Sequence, residues 1–562
     1  MTQDTALEIL KTGANVFLTG EPGSGKTYTV NAYIKYLKRH GITPSITAST
    51  GIAATHVSGM TIHSWSGIAI KRSLSAQDLD EMGTREPLVK RLIAAKVLII
   101  DEVSMLDGKI LEMVDLVTKT LRRSEEPFGG LQVVLVGDFF QLPPISGFGE
   151  PAAQFCFESP AWANLNPLVC YLSEQHRQED MAFLATLSAI RRGDVEESVY
   201  ECLAERRTSP EEYPEGVPQL YTHNVDVDRK NNEALALLSA HAHRFEMLSQ
   251  GKHNLVEQMK KGCLSPEELE LKEGAAVMFT KNNFDAGYVN GTLGIITGFD
   301  EDTGFPIVET RDGETITATP SEWAIEDEGK VVAKLTQIPL RLAWAITVHK
   351  SQGMSMDAAI MDLSRAFEYG QGYVALSRVR SLSGLHVVGV NARAFEVHPL
   401  VLEHDRVFRE QSLLAVSAFE AIAKDELAVM HKNFISALGG THEALSDEEV
   451  RASVSAEKAH RAHSREETRV LLGKKCSLNE IIRSRNLSHG TIMKHIEELC
   501  ESDTPPDIAY LKKELPKGLL PKVREAFKKT ADSEEAGKLT PVKKLLGDDV
   551  SFEDIRLARL FL

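Results

Sequence analysis

The chain has 562 residues, 43% hydrophobic and 25% charged, with 63 Lys and Arg against 80 Asp and Glu for a net charge of −17. These proportions exclude a mainly disordered chain, and the length suffices for three or four domains with buried cores. The acidic balance excludes a protein coated in basic nucleic-acid-binding surface, while leaving room for a local basic groove.

The N-terminal residues MTQDTALEILKTGANVF lack the basic-then-apolar layout of a signal peptide. No run of about 18 apolar residues occurs, so no membrane span is expected and the protein reads as cytoplasmic. Cys156, Cys170, Cys202, Cys263, Cys476 and Cys500 contain no C-x-x-C pair. That spacing favours reduced thiols over a zinc site or a disulfide framework.

Through residue 200, helical stretches alternate with short apolar runs at Val16–Leu18, Val97–Ile100 and Val133–Val136. Such runs, bounded by turn residues, predict buried parallel strands of an α/β sheet. Residues 207–216, RTSPEEYPEG, read as a surface connection. From 274 to 338 short strands with Gly, Asp and Pro between them predict a small β-barrel inserted in a second α/β unit. Its segment 300–330 carries a local net charge of −8. Alpha/beta character returns at 340–395, and the Ala-, Glu-, Leu- and Lys-rich stretch 400–465 predicts helices leading to a separate C-terminal module.

The first chemistry lies at Gly20-Glu-Pro-Gly23-Ser24-Gly25-Lys26-Thr27, a complete G-x-x-x-x-G-K-[ST] phosphate loop between a strand and a helix. Gly23, Ser24 and Gly25 let backbone N–H groups converge on phosphate oxygens at a helix N-terminus. Lys26 is expected to hold the β- and γ-phosphates and the Thr27 hydroxyl to ligate Mg²⁺. About 75 residues on, the apolar run 98–100 ends in Asp101-Glu102. Asp101 suits the metal's water shell, and Glu102 is placed to orient and deprotonate the attacking water. Together these motifs predict nucleoside triphosphate hydrolysis with Mg²⁺.

Further motifs, in order from residue 3 to about 390, resemble the Pif-one/RecD-like branch of superfamily 1 helicases. Gln3 resembles the glutamine that reads the adenine edge. Ala48-Ser-Thr50-Gly-Ile-Ala-Ala54 and Gly59-Met-Thr-Ile-His63-Ser64 resemble the first domain's single-stranded DNA segment, which implies DNA contacts at Thr50 and His63. Val136-Gly-Asp138-Phe-Phe-Gln141-Leu-Pro-Pro144 is similar to the coupling motif, whose glutamine senses the γ-phosphate. Leu172-Ser-Glu-Gln-His-Arg177 and Tyr373-Val-Ala-Leu-Ser-Arg378 resemble motifs whose arginines reach the nucleotide from the second domain. Such arginines stabilise transition-state charge, a role worth about 10³ or more in rate. Ile346-Thr-Val-His-Lys350-Ser351-Gln352-Gly353 resembles the second domain's DNA-backbone motif, which implies DNA contacts at Lys350, Ser351 and Gln352. Residues 274–278 and 288–292 match those that open the family's SH3-like barrel.

The resemblance implies an α/β fold of two RecA-like motor domains, 1–165 and 166–273 with 339–400. A small insertion near 66–90 is a candidate wedge. It further implies an SH3-like barrel at 274–338, a helical linker at 401–464 and a C-terminal domain at 465–562. The implied activity is an ATP-dependent DNA helicase or translocase, moving 5′ to 3′ on single-stranded DNA and unwinding tailed or forked duplexes in replication, recombination or repair. A nucleoid-associated monomer of bacterial type is expected.

In the C-terminal segment, Ser477-Leu-Asn-Glu480 is a capping box and Ser488 a second helix cap, with apolar helical spacing at Ile481, Ile482, Leu487, Ile492, Ile496 and Leu499. This predicts a helix-turn-helix, resembling that found at the C-terminus of some RecQ-type helicases. Segment 461–500 is net +3, and Lys494 is expected to face DNA beside His489, Thr491 and His495. Residues 501–562 suggest helices without assignable chemistry. Two other readings use some of these features: a nucleotide-controlled DNA-binding regulator, and an ATPase that works only as a partner's subunit. The regulator leaves the arginine motifs, ITVHKSQG and the barrel unexplained.

Overall fold

The computed structural model describes the chain apart from residues 57–58, 70, 145–152, 174–179, 215–216, 224–226, 252, 284–285, 289, 311–312, 328–329, 447–448, 450–463, 486, 488, 501–504, 517, 531–538 and 548–549. Two compact units result, Met1–Ser446 and Asp447–Leu562.

The larger unit opens with β1 (Val16–Gly20), β2 (Ser45–Ala48), β3 (Met60–Thr61), β4 (Val97–Asp101), β5 (Gln132–Val136) and β6 (Leu168–Leu172). These six form one parallel sheet in the order β3-β2-β4-β5-β1-β6. Every residue of β1 and β5 is buried, as expected of strands covered by helices on both faces. The expected boundary at 165 therefore falls one strand early. β6 pairs with β1 from Val16↔Leu168 to Gly20↔Leu172 and completes the first motor sheet.

After β7 (Gln219–Tyr221) the chain runs through β8 (His243–Glu246), β9 (Leu248–Gly251), β10 (Glu268–Leu271), β11 (Ala276–Phe279), β12 (Leu293–Phe299), β13 (Pro306–Thr310), β14 (Thr315–Thr317), β15 (Ser321–Asp327), β16 (Lys330–Gln337) and β17 (Leu340–Leu342). β14-β13-β12-β11-β17 is an antiparallel sheet over a core that includes Phe279, Tyr288, Ile296, Val308 and Leu340. The hairpin β15–β16 pairs instead with β9, so the insertion draws its strands from 243 onward rather than from 274. The second motor sheet then closes in parallel order β18-β7-β19-β20, from β18 (Ala345–Thr347), β19 (Ala359–Leu363) and β20 (Leu385–Val390).

Of the stretch expected to be a linker, 401–464, the part up to Ser446 belongs to the motor unit. In the helix Pro399–Glu420, Phe408 sits 5.2 Å from Phe17 and 6.1 Å from Phe139, ring to ring. Phe434, in the helix Lys424–Ala437, covers Gly13 closely enough that a Cβ there would lie 2.3 Å from its ring. Residues 66–90 supply the short helix Ala76–Gly83, capped by Ser75 and Asp78, and most of the helix Glu86–Ala94.

The smaller unit is helical, with helices that include Leu478–Arg485, His489–Cys500, Leu519–Thr530, Leu539–Leu546 and Phe552–Arg559. The capping box forms: Ser477 N–H donates to Glu480 Oε2 at 2.8 Å and Glu480 N–H to Ser477 Oγ at 3.3 Å. Ser488 lies outside the described residues. Ile481, Ile492, Ile496 and Leu499 are buried, with Ile482 and Leu487 packed against them. Residues beyond 504 complete the same core through Leu511, Val523, Ile555 and Ala558. Among the described residues no helix is long and apolar enough to cross a membrane.

Candidate active site

The phosphate loop leaves β1 and enters the helix Lys26–Arg39 with Gly23 at φ 85° and Gly25 at φ 89°, a region that side chains with a Cβ rarely adopt. A Cβ on Gly25 would meet Gln3 Nε2 at 2.0 Å, and Gln3 donates from that nitrogen to Ser24 O at 3.1 Å. Gln3 thus lies over the loop. The buried Ser24 hydroxyl has no protein partner. Lys26 is folded onto its own loop, donating to Gly20 O at 2.7 Å and Glu21 O at 3.1 Å. Burial lowers its proton affinity, against the pull of Asp138, Glu102 and Asp101. Thr27 is exposed at the helix start. A backbone cradle, a buried hydroxyl without a partner among the described residues and a half-buried ammonium together fit a nucleotide's phosphates.

Asp101 ends β4, and its carboxylate accepts from Glu102 N–H at 2.9 Å. Burial, reinforced by Glu102, pushes Asp101 up to about 7. Glu102 stands at φ 53°, ψ 47°, a left-handed conformation that costs a non-glycine residue about 1–3 kcal/mol. Burial raises its pKa too, with Arg378 and Lys26 opposing. Its carboxylate accepts from Gln352 Nε2 at 3.2 Å, and the same nitrogen donates to Gln141 Oε1 at 3.2 Å. Glu102 and Gln141 of the first motor domain thereby meet Gln352 of the second.

Gln352 was expected on DNA; it is instead buried against these two groups, with its own Oε1 unpaired. Ser351 also departs from expectation, being fully buried and donating its hydroxyl to Val348 O at 2.8 Å. A fully buried hydroxyl already spent on a carbonyl offers nothing to a phosphate backbone. Lys350, half-buried on the same turn, donates its N–H to Thr347 Oγ1 at 3.2 Å. Arg378 is buried, with Nε on Val374 O at 2.8 Å, Nη1 at 3.3 Å from both Ser351 O and Met354 O, and Nη2 on Ser377 Oγ at 2.8 Å. It braces the turn that carries Gln352. Arg177 lies outside the described residues.

On the first domain, Ser49 donates to Glu102 O at 2.6 Å, and the adjoining Thr50 accepts from Ala53 N–H at 3.2 Å to open the helix Gly51–His56. His63 is half-buried on the helix Ile62–Ser66, and burial, with Arg72, lowers its pKa. This face touches the insertion: Gln258 hydrogen-bonds both Thr61 and Ser64. In the smaller unit Lys494 is exposed, while His495 pairs with Thr468 at 2.9 Å.

Sequence reasoning missed a buried network beside the loop. Arg191, ending the helix Met181–Arg192, donates to Asp138 Oδ2 at 2.9 Å, Tyr373 OH at 3.1 Å and Tyr171 OH at 2.8 Å. Its guanidinium lies 4.3 Å from the Phe140 ring centroid, and Asp405 approaches within 3.7 Å. Arg191 and Arg192 look alike in sequence, so no local signal distinguished the buried one.

A sequence model of the PIF1-like helicase family matches residues 3–200, one of the DNA helicase Pif1 2B domain matches 254–299, and one of a helix-turn-helix domain matches 464–559. The ATP-dependent DNA helicase Pif1 of Psychrobacter is 39% identical over all of both chains. The crystal structure of Bacteroides Pif1 in complex with ADP-AlF4 is 29% identical, with a TM-score of 0.64, covering 73% of this chain and 96% of that one. Bacteroides Pif1 bound to ssDNA is likewise 29% identical, with a TM-score of 0.50, covering 73% and 97%.

Proposed function

The chain belongs to the PIF1-like helicase family and is an ATP-dependent DNA helicase; from that premise we propose how it couples hydrolysis at the Lys26 site to movement along single-stranded DNA. The observation that carries the proposal is the meeting of Glu102 and Gln141 with Gln352 across the junction of the two motor domains.

Gly23, Ser24, Gly25 and Lys26 cradle the phosphates of ATP, with Gln3 over the loop. Thr27 and Asp101 hold Mg²⁺, which when bound supplies charge neutralisation at the phosphate oxygens. Glu102, once ionised, accepts the proton of the attacking water at its carboxylate. Lys26 turns from Gly20 O and Glu21 O toward the phosphates, and Gln141 orients the same locus from the coupling motif. Arg177 and Arg378 approach from the second domain, which requires Arg378 to leave the carbonyls that it braces here. Thr50, His63 and Lys350 contact the single strand, and Lys494 of the smaller unit contacts duplex DNA. Alternation of grip between the two motor domains moves the strand 5′ to 3′.

The test is ATP hydrolysis with and without single-stranded DNA, and strand displacement on 5′-tailed and 3′-tailed duplexes. Strong stimulation is expected, with displacement of the 5′-tailed substrate and loss of both in Lys26→Ala. DNA-independent turnover without displacement would sink the motor.

A further inference from the structure

The turn Thr347–Gly353 joins two things that a motor must connect. On one side stands Lys350, placed above on the DNA backbone. Two positions on, Gln352 reaches into the ATP site, where one amide nitrogen serves both Glu102 Oε2 and Gln141 Oε1 at 3.2 Å. The turn between them is tightly tied: Ser351 N–H donates to Thr347 O at 3.0 Å and its hydroxyl to Val348 O at 2.8 Å, while Met354 N–H donates to Ser351 O at 3.0 Å. Arg378 adds a brace through Ser351 O and Met354 O that it gives up on turning to the phosphates, while the turn's own backbone ties stay. A segment held at that many points moves as a body, so a pull on Lys350 displaces the Gln352 amide.

What Gln352 holds is the carboxylate that the motor reading assigns to the attacking water. Glu102 sits in a left-handed conformation, and its carboxylate has to be aimed at one water. A misplacement of about 1 Å in such a group costs on the order of 10²-fold. Among the described residues the buried Oε1 of the same amide has no partner, whereas a core glutamine finds partners for both ends in most buried sites.

We propose that Gln352 is a positioning residue that carries DNA occupancy to the ATP site, holding Glu102 and Gln141 in one hydrogen-bonded string from the turn that presents Lys350. The proposal rests on the motor reading above and differs from a DNA contact at Gln352, since it assigns the side chain to the carboxylate and not to phosphate.

The experiment compares the unaltered full chain with Gln352→Met, which keeps the shape and removes the donor, and with Gln352→Ala and Lys350→Ala. Steady-state ATP hydrolysis is measured against ATP and against an oligothymidylate, with binding of the same oligomer by fluorescence anisotropy and thermal melting as the check on folding. Expected for Gln352→Met is a kcat at saturating oligomer lowered about 10- to 100-fold. KM for ATP and the oligomer Kd should stay within about twofold, with an unchanged melting temperature. Lys350→Ala should weaken the oligomer Kd and also fall short of full kcat at saturation, because the turn then loses the contact that pulls on it. Weakened oligomer binding with full kcat at saturation in Gln352→Met would overturn the proposal and return the residue to DNA. Unchanged kcat in both Gln352 variants, with normal stimulation of the unaltered chain, would overturn it alone; absence of stimulation in the unaltered chain would overturn the motor reading as well.

Discussion

Arg191 keeps its charge in full burial because a carboxylate and two phenols hold its guanidinium. Burial lowers its proton affinity, but Asp138, Tyr373, Tyr171 and Asp405 together raise it well above the ordinary value. Asp138 follows β5 in the first motor domain and Tyr373 begins the helix Gln371–Leu376 of the second, so the ion pair pins the two together beside the phosphate loop. Removing one partner of such a pair leaves a buried charge uncompensated and costs about 3–5 kcal/mol. Arg191→Met is accordingly expected to lower the unfolding free energy of the motor unit by about that amount, read from urea denaturation. Joining it to Asp138→Leu should recover most of the loss, because an apolar pair of similar volume carries no desolvation penalty. Independent, additive losses would show that the two charges do not depend on one another. At this scale the sequence is legible where chemistry is local. Lys26 and Thr27 are fixed by a strand, a loop and a helix contiguous in the chain, and Asp101 and Glu102 by the end of one apolar strand. Arg191 and the inward reach of Gln352 depend on partners between 20 and 250 residues away, and no spacing rule carries that distance.

Between elements, the insertion meets the face proposed to bind DNA through a pair of glycines. The helix His253–Gly262 of the insertion ends against the start of the helix Gly51–His56, just past Thr50. A Cβ on Gly262 would lie 2.6 Å from the Gly51 carbonyl carbon, and backbone cannot give way as a side-chain tip does. Gly262→Ala is therefore expected to push the two helices apart and disturb the Gln258 hydrogen bonds to Thr61 and Ser64. The measurement is affinity for single-stranded DNA by anisotropy: a change of at least about threefold, in either direction, corresponds to some 0.7 kcal/mol at this joint. A variant with unaltered affinity and stability would mean that the joint opens freely. The element pattern shows why other boundaries were misread. β6 has the composition of any buried strand, and only its pairing with β1 assigns it to the first sheet. The helices from 399 to 437 are rich in linker-like residues, yet Phe408 and Phe434 fill gaps in the first motor domain.

The molecule as a whole has two cores with separate memberships, one set of clusters ending at Leu438 and another drawn wholly from Leu471 to Phe561. Whole-chain charge was a poor guide to its chemistry, because the net of −17 averages a first hundred residues at +4 with a β insertion segment at −8. Separate cores predict separate unfolding, and pH offers a way to move one transition without the other. Glu497, on the helix His489–Cys500, accepts from Arg556 Nε at 2.8 Å and from Arg559 Nη2 at 3.0 Å, tying that helix to Phe552–Arg559. Burial by itself would raise the pKa of Glu497, but the two guanidiniums outweigh it and hold the group below the ordinary 4.5. A carboxylate depressed on folding stabilises fully above its unfolded value, and the contribution is lost as pH falls through the folded one. Calorimetry of the full chain should thus show two transitions at neutral pH. Glu497→Gln should lower only the one belonging to residues 447–562, by about 1.5–3 kcal/mol for hydrogen bonds to charged groups. The gap between variant and unaltered chain should narrow as pH drops below 4.5, since protonation of Glu497 does to the unaltered chain what the substitution does at neutral pH. A gap that stayed constant into acid would assign the loss to packing. A shift of the larger transition by the same substitution would show that the two cores unfold as one.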